Sequence, residues 1–113
     1  MNQIEEKDWT LFREKLPEWQ EAYMERLIKK YTELLADDKS ASEKFWALDK
    51  RISTDRKSLG VRVNKVSRSK LQNILTGLII DNVISEDDLQ GFSDKLREST
   101  HQWLQIYHRN LEE

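Results

Sequence analysis

The chain has 113 residues, no cysteine, and 19 basic against 21 acidic side chains. That length closes one modest core and leaves no room for a separate catalytic domain. The lack of cysteine excludes a disulfide scaffold, a thiolate metal site and a cysteine nucleophile, and it suits a reducing cytoplasm.

Met1–Lys7 is predicted to be flexible; the stretch to Asp8 is polar and acidic, without the apolar core of a secretory signal. Asp8 is predicted to cap a short helix from Trp9 to Leu16, because Trp9, Phe12 and Leu16 share a face. Pro17 then suits the first turn of a second helix, where its missing N–H costs nothing. That helix is expected to run to about Ala36, with Trp19, Tyr23, Met24, Leu27, Ile28, Tyr31, Leu34 and Leu35 on a wide apolar face. Ser40-Ala41-Ser42-Glu43 matches a capping box and opens a third helix to about Lys57. Ala41, Phe45, Leu48 and Ile52 are expected inward, with Trp46 beside that stripe.

Residues 58–66 are predicted to form a connecting loop or a short extended segment. Gly60 would end the third helix in a left-handed conformation, and Leu59, Val61 and Val63 alternate with Gly60 and Arg62. Ser67 or Ser69 is expected to cap a fourth helix to about Asp81. Leu71, Ile74, Leu75, Leu78 and Ile79 make it the most apolar helix and the centre of the core. Gly77 weakens it by about 1 kcal/mol relative to Ala and admits a close neighbour. Ser85-Glu86-Asp87-Asp88 opens the last helix with acids that suit its dipole. Unbroken from Glu86 to Asn110, that helix would be about 37 Å long at 1.5 Å per residue. The fold class predicted is therefore all-α: one domain over 1–113, a compact bundle of four to five helices with a long C-terminal helix.

Lys50–Lys70 holds eight basic residues and one acid, Asp55, within a chain that is otherwise acidic. Lys50, Arg51, Arg56 and Lys57 fall near a helix C-terminus, where cations suit the dipole. Arg68 and Lys70 fall at a helix N-terminus, where they do not. Two serines, two cations and free N–H groups there give a candidate anion or partner site of Ser67, Arg68, Ser69 and Lys70, helped by Arg62 and Lys65. A helix-turn-helix reading of 67–100 is disfavoured, because Glu86, Asp87 and Asp88 would meet the phosphates. Base stacking is disfavoured too, since the basic stretch contains no aromatic residue.

Most of the ten aromatic residues have core spacing. Trp46 lies off the stripe of its helix, and the end of the long last helix is expected to expose Trp103, Ile106 and Tyr107. These four form the candidate interface, since exposed Trp is a strong contact anchor. His101 and His108 are seven apart, about 10 Å along a helix, which does not make a metal site. No phosphate loop, nucleophile elbow or acid–base pair is present, so neither a catalytic residue nor a cofactor is assigned.

Asp8-Trp9, Phe12-Arg13, Leu16-Pro17, Trp19-Gln20-Glu21, Tyr23-Met24, Lys44-Phe45-Trp46, Asn82-Val83-Ile84, Asp88-Leu89 and Phe92-Ser93-Asp94 together resemble a group of small, uncharacterised bacterial proteins. The resemblance spans most of the chain and implies a bacterial cytoplasmic setting and an all-helical fold. It implies no activity and no functional residue. Some such sequences carry a transporter label, which this chain contradicts: no apolar run exceeds four residues, and Leu78-Ile79-Ile80 in the most apolar helix is far short of a membrane span. The function expected is a non-catalytic interaction or regulatory module that self-associates as a homodimer or takes a protein partner. The alternative is an anion or nucleic-acid binder acting through 51–70.

Overall fold

The computed structural model describes residues 4–63 and 65–111, and all its regular structure is helical. Helices α1 (Glu6–Leu35), α2 (Ala41–Asp55), α3 (Leu59–Arg62), α4 (Leu71–Ile80) and α5 (Asp94–Leu111) are joined by 3-10 turns at Arg68–Lys70 and Glu86–Leu89. The all-α fold with a long C-terminal helix is present. Part of the predicted flexible segment, Met1–Gln3, lies outside the described residues; Ile4 and Glu5 lead directly into α1.

The two helices predicted on either side of Pro17 are one. Helix α1 is 30 residues, about 45 Å, and runs through Pro17. An interior proline removes one backbone hydrogen bond and costs about 3 kcal/mol. Apolar packing on both sides outweighs this. Phe12 is buried, its ring lies 6.3 Å from Trp19, and Trp19 lies 6.3 Å from Phe92. Asp8 does not cap α1, which begins at Glu6. It is buried, and its carboxylate accepts the Ser93 N–H at 2.8 Å and the Ser93 hydroxyl at 2.6 Å. Ser93 Oγ in turn accepts the Leu96 N–H. The acid thus stabilises the start of α5, 85 residues away, where free N–H groups favour negative charge.

The core is Phe12, Leu71, Leu75, Leu78, Val83, Ile84, Leu89, Phe92 and Leu96, with α4 at its centre. Gln72 donates to Thr100 Oγ1 at 2.8 Å, tying α4 to α5 where both residues are buried. Helix α4 ends in a Schellman turn: Val83 N–H reaches Leu78 O, Asn82 N–H reaches Ile79 O, and Asn82 adopts φ 62°. Arg26 donates from Nη2 to the carbonyls of Asn82 and Val83, both at 2.9 Å, fastening α1 to that turn.

Three further expectations change. Residues 59–62 form a helical turn, not an extended segment, and Gly60 is buried inside it rather than left-handed. A Cβ on Gly60 would lie 2.5 Å from the Tyr23 ring and 2.7 Å from Val83, so glycine serves close packing there. The last helix is broken. Gly91, at φ +96°, turns the chain between the 3-10 turn and α5, which leaves α5 with 18 residues and about 27 Å. Phe45 is not inward; no residue of α2 is buried. The radius of gyration, 16.9 Å, exceeds the roughly 13 Å expected of a compact chain this long. The last two turns of α1 and all of α2 lie outside the core cluster and form a hairpin.

Candidate interaction surface

The hairpin forms for local reasons. Helix α1 ends at Leu35, five residues follow, and Ser40 Oγ accepts the Glu43 N–H at 3.2 Å to open α2. Tyr31 Oη donates to Asp55 at 2.6 Å and fixes the register of the pair. Desolvation by burial, then the hydrogen bond and the charge of Asp55, push the Tyr31 phenol up to about 12.

From the Tyr31–Asp55 contact, α1 has about one turn left to run, and α2 has almost four. The first half of α2 therefore has little of α1 to pack on. Phe45 is 63% exposed and Trp46 is 65% exposed, with their rings edge-to-face at 5.0 Å. Met24, Ile28, Leu35 and Ile52 are exposed as well. Met24, Leu27, Ile28, Tyr31, Ile52 and Val61 line an open apolar groove, with Asp55 and Arg56 at its margin. The six exposed apolar side chains amount to about three fully uncovered ones, on the order of 600 Å².

Of the predicted interface residues, Trp46 lies on this hairpin. Trp103, Ile106 and Tyr107 are exposed on the second half of α5, together with Leu111. There α5 outruns the ten-residue α4 it packs on, although Leu104 on its inner face is buried.

The predicted anion-binding residues have varied surroundings. Arg68 is engaged within the fold: Nη1 meets Glu6 Oε2 at 2.6 Å, and Nε donates to Ile4 O at 3.0 Å. The Ser67 and Ser69 hydroxyls lie 3.3 Å apart, and Ser67 makes no side-chain cap bond to the 3-10 turn that follows it. Lys70 is exposed. Lys65 lines a groove with Trp9, Arg13 and Gln20. Arg62 donates from Nε to Lys57 O at 2.8 Å and shares an open concavity with Ser53, Arg56 and Lys57. Arg56 also borders the apolar groove, so the basic and apolar surfaces are continuous. Sequence reasoning did not find this continuity. Its signal was the alternation of Arg51, Ile52, Asp55 and Arg56 along one helix.

His101 Nδ1 lies 2.8 Å from Glu86, which joins α5 to the preceding 3-10 turn. Among the described residues no three His, Asp or Glu side chains gather as metal ligands, and no helix is long and apolar enough to cross a membrane. Compared with protein-family models, curated proteins and solved structures, the chain finds no match.

Proposed function

We propose that the protein is a non-catalytic interaction module of the bacterial cytoplasm, and that its contact surface is the hairpin of α1 and α2. The observation that carries this reading is a 15-residue helix without one buried residue that nonetheless displays Phe45, Trp46 and Ile52. A helix of that length is marginal alone in water, and most helical stability comes from burying an apolar face. A partner laid on the hairpin supplies that burial.

The test is retention of proteins from a native lysate by the wild-type chain and by the Phe45→Ser/Trp46→Ser variant, at low and high salt. The reading expects a partner, of this chain or another, that the wild type holds and the variant releases. It fails if nothing retained depends on the hairpin.

A second reading, binding of an anion or nucleic acid through 51–70, draws on the concavity lined by Ser53, Arg56, Lys57 and Arg62, which contains three cations and no acid. Such binding would fall steeply with salt. Reversing Arg56, Lys57 and Arg62 to Glu would abolish it, whereas contact through Phe45 and Trp46 would persist at high salt.

A further inference from the structure

We infer that the basic segment binds single-stranded nucleic acid alongside α1, with a base stacked on the Arg13–Trp9 pair and phosphates held by Lys65 and the cations that precede it. The inference rests on the second reading, binding through 51–70, and adds the ligand and the place where a base is held.

The basic segment lies along α1 and runs opposite to it. Asp55 meets Tyr31, Gly60 packs on Tyr23, the Val63 carbonyl accepts from Gln20, and Arg68 reaches Glu6 and Ile4. Two concavities follow one another on this path. The first holds Arg56, Lys57 and Arg62, and the second holds Lys65 with Arg13 of α1. Arg62 and Lys65 are three residues apart, at most about 11 Å of chain, so one short strand spans both. No carboxylate lines either concavity. Among the described residues, none of these five cations forms an ion pair, whereas Arg51 is held by Asp55 and Arg68 by Glu6. The fold thus compensates two cations of the segment internally and leaves a row of others for an outside anion.

The absence of an aromatic residue from the basic stretch spoke against base stacking. The fold removes that objection, because Trp9 of α1 lines the same groove as Lys65. The Trp9 ring is half-buried and stacks on Phe12, 6.2 Å away at 17° between planes. Phe12 is buried and fixes that plane from below. The exposed Arg13 guanidinium lies over the indole, 5.7 Å from its centroid. A guanidinium on an indole is a platform for an unstacked base. An acidic peptide would use the cations but gain nothing from the platform. A duplex keeps its bases stacked on one another, so the platform selects single strands.

The test is titration of the full chain with an oligothymidylate of about ten nucleotides and with its abasic counterpart, over a range of salt. The base-bearing oligomer should bind more tightly, by on the order of 5- to 150-fold, the worth of one stacked base. Five phosphate contacts predict a slope of log K against log salt of roughly −3.5. Arg13 and Lys65 are exposed, so their variants keep the fold. Lys65→Gln should flatten the slope by about 0.7. Arg13→Lys keeps the charge and loses the plane, so it should leave the slope and cut affinity roughly fivefold or more. Equal affinity for the abasic oligomer or for a duplex overturns the inference, and so does indifference to Arg13→Lys. If binding then still depends on Arg56, Lys57 and Arg62, the anion reading stands without this one. If neither oligomer binds at about 50 mM salt, both fall.

Discussion

Leu75 on α4 and Trp46 on α2 are both large apolar side chains on amphipathic helices, with opposite surroundings: Leu75 is 0% exposed, Trp46 65%. Around Leu75 the fold is crossed by polar ties between distant segments, Asp8 to Ser93, Gln72 to Thr100 and Arg26 to the end of α4. The outer hairpin is fixed at its base by Tyr31 and Asp55, and its apolar side chains face solvent. One end of the molecule is closed around its apolar side chains, and the other leaves them uncovered. A helix with no interior of its own gains little stability from burial, which is why the proposed partner surface is placed there.

The contrast can be broken at its strongest point first. Leu75→Ala should cost about 2–5 kcal/mol, because a cavity opens in a filled core. Trp46→Ala should stay within about 0.5 kcal/mol in dilute solution, where no partner covers it. Denaturant titration of both variants checks the pair; similar costs would mean that the hairpin is interior after all. Asp8→Ala comes next, at about 3 kcal/mol, since it orphans the Ser93 N–H and hydroxyl at the start of α5 and removes hydrogen bonds to a charged acceptor. Its helical signal should unfold at lower denaturant with an unchanged slope. Gly60→Ala should cost about 1–3 kcal/mol by forcing Tyr23 and Val83 away from α3. The smallest effect sharpens the comparison from the hairpin side. The Tyr31 phenol is pushed up to about 12 from an ordinary value near 10, so the folded hairpin favours its neutral form. Its contribution is complete below pH 10 and is lost as pH rises from about 10 to about 12. Hydrogen exchange of α2 should quicken over that range in the wild type beyond any change in Tyr31→Phe.

Much of the fold could be read from the chain. The apolar period from Leu71 to Ile79 identified the central helix, Ser40 and Glu43 marked the start of α2, and Gly77 carried its close neighbour, Leu59. The misreadings share one cause. Pro17 and Asp8 carry strong local meanings, breaker and cap, and both were overridden by partners far away in sequence. Phe45 has inward spacing, but spacing says only which side of a helix is apolar, not whether another element reaches it. The candidate site was legible to the same degree. The excess of cations from Lys50 to Lys70 was plain. That Arg68 would be drawn to Glu6 and Ile4, while Arg56, Lys57 and Arg62 stay near an apolar groove, depends on where α1 and α2 stop relative to each other.

Periodicity, capping residues and composition by themselves determined an all-helical chain, the helix at its centre and the separation of basic from acidic segments, because those features depend on neighbours within one or two turns. Tertiary structure alone decided that α1 continues through Pro17, that Asp8 serves α5, and that α2 lies outside the core. Each of these turns on contacts between distant residues, whose burial and hydrogen bonds outweigh the one to three kilocalories or so that local preference can supply.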